Sequence, residues 1–188
     1  MGTSVNQRSP KTLSWQAVHA AYRNNEIPIA RVTSEVWRAA TNQDRGSLER
    51  LLAAPIVAKV GQLALKAKDP LELSRATALE IVKSKSSSLA SDIARRAAIQ
   101  SMSSSNRMSA YNERIFAEAT SYLVSRDFPG FVGSGRAQTI SESISFKAEV
   151  AKHVAQLVRD AGLPSSFAAR GWGKYVRNII TTLQGKTK

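Results

Sequence analysis

The feature that most constrains this chain is the spacing of its apolar residues, which recur every three or four positions and never alternate along a strand-length run. A helix advances 100° per residue and turns such residues to one side, whereas a half-buried strand needs a period of two. Trp15, Val18 and Tyr22 repeat this way, as do Ile29, Val32 and Val36. Further along, Leu89, Ile93 and Ala97 form a stripe, and Tyr111, Ile115, Ala119 and Tyr122 form another. There is no hairpin dipeptide and no repeat of fixed length. The pattern predicts an all-α fold: a compact single-domain bundle of about seven or eight helices across residues 13–184. Residues 1–12 read as a flexible basic arm and residues 185–188 as a basic tail.

Punctuation residues fall where helices need them. "DPLE" at residues 69–72 offers a capping aspartate, a first-turn proline and a carboxylate three positions on, and starts a helix through Leu73, Ala76, Leu79 and Ile81. Pro28 precedes the stripe that begins at Ile29, and Ser47 can cap "LERLLAA". Pro55 must kink or divide the helix it interrupts, because it has no amide hydrogen and collides with the preceding turn. Gly162 is a natural stop for the long pattern before it, and Pro164 and Ser165 introduce a last helix.

Several classes of function are removed by what is missing. With no cysteine, the chain has no disulfide framework, thiol nucleophile or cysteine zinc site, and it suits a reducing compartment. The longest apolar run, "LLAAPIVAKVGQLAL", is broken by Lys59, Gly61 and Gln62, short of the roughly 18 residues that a membrane span requires. The only histidines, His19 and His153, lie far apart in sequence. His153 follows Glu149 by one helical turn, a spacing that suits a surface pair, and no third ligand or nucleophile joins them. "GFVGSGRAQ" has loop glycines but lacks the Gly-Lys-Ser/Thr ending of a phosphate loop. No catalytic residue, metal site or cofactor is expected, and the protein reads as non-enzymatic.

Charge supplies the positive signal. Twenty-seven Lys and Arg against fourteen Asp and Glu leave +13, a surplus that self-repels unless a polyanion neutralises it. The excess is concentrated in three segments. Residues 1–25 hold three cations, Arg8, Lys11 and Arg23, and no acid. Residues 81–112 set Lys83, Lys85, Arg95, Arg96 and Arg107 against Asp92 alone, with nine serines between residues 83 and 107 whose hydroxyls suit phosphate. Residues 161–188 hold Arg170, Lys174, Arg177, Lys186 and Lys188 with no acid.

The last segment has a helical geometry. Arg170, Lys174 and Arg177 fall within about 60° on a helix, nearly opposite Trp172, Val176, Ile179 and Leu183. Trp172 belongs to the core side, while Tyr175 is a candidate to stack on an unpaired base. Arg136, in the glycine-rich loop, is placed to reach a backbone phosphate.

Together these point to a protein that binds nucleic acid through its phosphate backbone, RNA slightly ahead of DNA because no dimeric major-groove reader is apparent. The candidate contacts are Lys83, Lys85, Arg95, Arg96, Arg107, Arg136, Arg170, Lys174, Tyr175 and Arg177. Small size, charge spread over several segments and the lack of a catalytic set suggest a packaging or coating protein of the nucleocapsid or viral coat type. Such a protein self-associates as a homo-oligomer and resides inside a cell or a virion. Two alternatives share the charge pattern: a helical adaptor or effector for acidic proteins or anionic membrane, and a DNA-binding transcriptional regulator.

Overall fold

The computed structural model describes residues 15–43, 47–84, 87–127, 140–165 and 167–185. Among these residues there are nine helices and no strand: α1 (Trp15–Arg23), α2 (Ile29–Gln43), α3 (Ser47–Leu52), α4 (Pro55–Lys66), α5 (Pro70–Lys83), α6 (Ser88–Ser101), α7 (Arg107–Asp127), α8 (Ile140–Asp160) and α9 (Ala169–Leu183). The all-α architecture is the one that the apolar spacing predicts. Of the two outcomes expected at Pro55, division is the one found, with α3 ending at Leu52 and α4 starting on the proline itself.

The helix ends follow the sequence signals closely. Asp69 accepts hydrogen bonds from the Leu71 and Glu72 amides, both at 2.8 Å. Glu72 reciprocates one residue further back than expected, accepting from the Lys68 amide at 2.8 Å. Ser87 and Asn106 cap α6 and α7 by accepting from the Ala90 and Ser109 amides. Gly162 closes α8 with φ of +81°, a left-handed conformation that glycine adopts without penalty.

The core forms around α7, whose Tyr111, Ile115, Phe116 and Ala119 are wholly buried. This helix packs on α8, α6, α4 and α2. Large aromatic side chains complete the interior, each buried group of this kind being worth about 1.5–3 kcal/mol in water exclusion. Trp37 lies beside Phe116, and Trp172 lies between Phe167 and Tyr175. Two of the buried polar ends are satisfied by backbone: Tyr111 donates to the Val57 carbonyl at 2.5 Å and Trp172 to the Leu52 carbonyl at 2.8 Å. Against Tyr111, α4 presents Gly61, where an added Cβ would meet the tyrosine ring at 2.6 Å. Tight α4–α7 packing therefore needs glycine there.

Two stripes depart from expectation. Tyr122 closes the apolar pattern of α7 yet remains 38% exposed. On α5, Leu73 and Thr77 are buried, whereas Leu79 points outward with 61% of its surface exposed. Only α4 and α6 pack closely on α5, so a single narrow face of that helix reaches the core.

Candidate nucleic-acid interface

The helix with the acid-free cationic sequence is held by its opposite side. Trp172, Val176, Ile179 and Leu183 are all buried, so Arg170, Lys174 and Arg177 are turned to solvent, where all three are exposed. Three anchors fix the helix in place. Trp172 donates to the end of α3, Tyr175 donates to the Gly162 carbonyl at 2.9 Å, and Arg38 of α2 donates to the Gln184 carbonyl at 2.8 Å. The cations therefore project from a rigid helix at regular spacing, which suits successive phosphates.

A groove of about 370 Å³ opens beside the start of α9. Lys59 and Lys83 line it from α4 and the end of α5, with Gln62, Glu80, Phe167 and Ala168. Ala168 is the N-cap residue of α9, so the groove meets the positive end of that helix dipole. Lys59 and Lys83 thus line the groove, and the exposed stripe of Arg170, Lys174 and Arg177 starts two residues beyond its Ala168 wall. Two acids temper this charge: Glu80 lies 3.7 Å from Lys83, and Glu49 of α3 lies 3.5 Å from Arg177. Among the described residues Lys59, Arg170 and Lys174 have no ion pair.

The other candidates divide into several groups. Arg95 and Arg96 are exposed but share one acid, Asp92, at 3.1 and 2.9 Å. Arg96 lines a separate groove with Tyr122 and Lys147, between α6, α7 and α8. Arg107 is half-buried and donates to the Ala67 carbonyl at 2.6 Å. It closes the C-terminal end of α4, so its expected place in a phosphate footprint gives way to a structural one.

Tyr175 also departs from the expected role. Only 9% of it is exposed, its ring packs on Trp172 and Phe116, and burial pushes its phenol up to about 12, with the Glu113 charge adding to the effect. A ring in that position has no face to offer a base. Lys85, Arg136, the arm at residues 1–12, and Lys186 and Lys188 of the tail lie outside the described residues. Lys59 is the residue that sequence reasoning missed, having served there only to interrupt an apolar run.

A cleft of about 850 Å³ lies along α7 and α8 and is lined by Tyr22, Glu113, Glu149, His153 and Arg159 among others. Glu113 is engaged by Arg159, whose Nη2 lies 2.6 Å from it, and by Ser109. Burial alone would raise the Glu113 carboxyl, but these donors and the nearby Arg159 and Arg114 charges hold it below the usual value. Tyr22 donates to Glu149, and that hydrogen bond, with burial, pushes the phenol up to about 12. Burial pushes His153 down, towards the neutral imidazole. The Glu113–Arg159 and Tyr22–Glu149 contacts stitch α1, α7 and α8 together, whereas the buried His153 Nε2 has no hydrogen-bond partner and does not form the pair with Glu149 that its spacing suggests. No group of three or more candidate metal ligands occurs among the described residues, and no helix there is long and apolar enough to cross a membrane.

Comparison with known proteins finds no family model, no curated protein and no solved structure that matches this chain.

Proposed function

We propose that the protein is a non-enzymatic binder of nucleic acid, RNA ahead of DNA, that follows the phosphate backbone and coats it. The observation that carries this reading is the exposed Arg170–Lys174–Arg177 stripe of α9, a helix whose N-cap residue Ala168 lines a groove shared with Lys59 and Lys83. A backbone running from the groove along α9 would meet a cation at each helical turn. Each neutralised phosphate releases counterions, so binding weakens as salt rises, with a slope of about 0.7 per contact for single strands. Contacts of this kind carry no base information, which matches a coating role better than that of a reader of one sequence. That role places the protein inside a cell or in a virion.

The test is binding of a labelled single-stranded RNA titrated against salt, with light scattering on the same samples. Steep loss of affinity with salt, similar for unrelated sequences and accompanied by large ordered particles, is the expected result. Strong preference for one DNA duplex would favour a transcriptional regulator. Absence of binding at low salt would overturn the reading and favour an adaptor for acidic proteins or anionic membrane.

A further inference from the structure

A coating protein needs a contact with its neighbours, and the outer face of α5 has the pattern for one. Leu71, Leu79 and Val82 are 60%, 61% and 85% exposed, the three most exposed large apolar residues in the described chain. On the helix they fall with Arg75 and Ala78 in an arc of about 100°, opposite the buried Leu73 and Thr77. Isolated exposed apolar residues are ordinary, but three on one ridge of one helix form a patch with a direction.

We propose that this ridge binds the same ridge of a second copy, the two α5 helices running antiparallel about a two-fold axis at the level of residues 76–77. The pattern is self-complementary, as an isologous contact requires. Leu71 of one copy falls beside Val82 of the other, and Arg75 falls beside Leu79. Ala78, next to that level, is small enough for the backbones to approach.

On one flank of the ridge charge is complementary in the same register, while the two Arg75 side chains lie beside each other near the axis and weaken the contact. Glu72 and Lys83 occupy the same flank of the ridge at opposite ends of the helix, at about 100° and 120° from Leu71. A two-fold axis keeps each flank facing its own counterpart, so each Glu72 meets the other copy's Lys83. Both side chains are exposed, and the antiparallel arrangement also opposes the two helix dipoles.

A pair of 14-residue helices, each about 21 Å long, buries less than a standard stable interface. The contact is therefore weak in free solution and strengthens when copies are held side by side on one strand, by effective concentration. Its place in coating rests on the function proposed above; the contact itself does not.

Sedimentation velocity of the full chain without nucleic acid, over a concentration series, tests the pairing separately from RNA binding. The wild-type sedimentation coefficient should rise with concentration, and Val82→Glu should abolish the rise while leaving the melting curve unchanged. Lys83→Glu should weaken the pairing, and the double exchange Glu72→Lys with Lys83→Glu should restore it. A wild-type protein that stays monomeric throughout, or a Val82→Glu variant that associates as the wild type does, would overturn the proposal. RNA binding lost in a protein that still pairs would remove the coating role and leave the contact standing.

Discussion

Helices α6 and α9 are nearly equal in length, and both place their cations outward, but they differ in what the cations are free to do. In α6, Arg95 and Arg96 lie one turn beyond Asp92 and share its carboxylate. No acid occurs on α9, and its one observed ion pair, from Arg177, reaches across to Glu49 on another helix. The inner faces differ as well. Ala90, Ala94, Ala97 and Ala98 let α6 lie close against its neighbours, whereas α9 is keyed in by Trp172, Tyr175 and Ile179. A count of cations is therefore a poor guide to available charge. The acid one turn away decides whether a cation is committed, and the inner face decides how firmly it is held.

The largest expected effect tests how α9 is held. Trp172→Ala should destabilise the fold by about 3–5 kcal/mol in urea denaturation, since it empties a fully buried site and strips the Leu52 carbonyl of its donor. In α6 the matching change is overpacking. Ala97→Leu should cost about 1–3 kcal/mol, because that face has no space for a longer side chain. Equal losses from the two substitutions would remove the distinction between a keyed helix and a close-packed one.

The Glu113–Arg159 pair, which joins α7 to α8, offers a pH test. The folded Glu113 carboxyl titrates below its unfolded value, so its stabilising contribution is present above the unfolded carboxylate range and is lost as pH falls through the lower, folded value. Glu113→Gln should cost about 1 kcal/mol at neutral pH and leave a flatter acid limb in stability measured against pH. An unchanged acid limb would mean that the Arg159 pair does not contribute. The smallest effect belongs to α6: Arg95→Ala should change stability by no more than about 0.5 kcal/mol, as an exposed ion pair shared with Arg96 allows.

Much of the fold is legible in the sequence because local rules settle it. The Asp69–Glu72 cap, the break at Pro55 and the stop at Gly162 depend on a few neighbouring residues, and the buried stripe of α9 follows from helical angle alone. Placing Tyr175 calls for closer use of the same angle. It lies about 40° from Ile179 and about 140° from Arg170, on the edge of the buried face.

Other features depend on which helices become neighbours, information that no local window carries. Leu79 fits an apolar stripe but faces outward, because α5 meets only α4 and α6 closely. Arg107 reads as one cation in a basic segment until α4 ends beside it and offers the Ala67 carbonyl. Lys59 gains meaning only when the C-terminal end of α5 and the α8–α9 connection close a groove around it.

The most direct test of the account compares two double charge reversals, Arg170→Glu with Lys174→Glu on α9 and Arg95→Glu with Arg96→Glu on α6, in binding of one labelled single-stranded RNA across a salt series. The account predicts that the α9 variant loses affinity and has a salt slope shallower by about 1.4, from two lost phosphate contacts. The α6 variant should retain a slope close to that of the wild type. An α9 variant that keeps the wild-type slope, or a larger loss from the α6 variant, would contradict the assignment of the nucleic-acid surface to α9 and its groove.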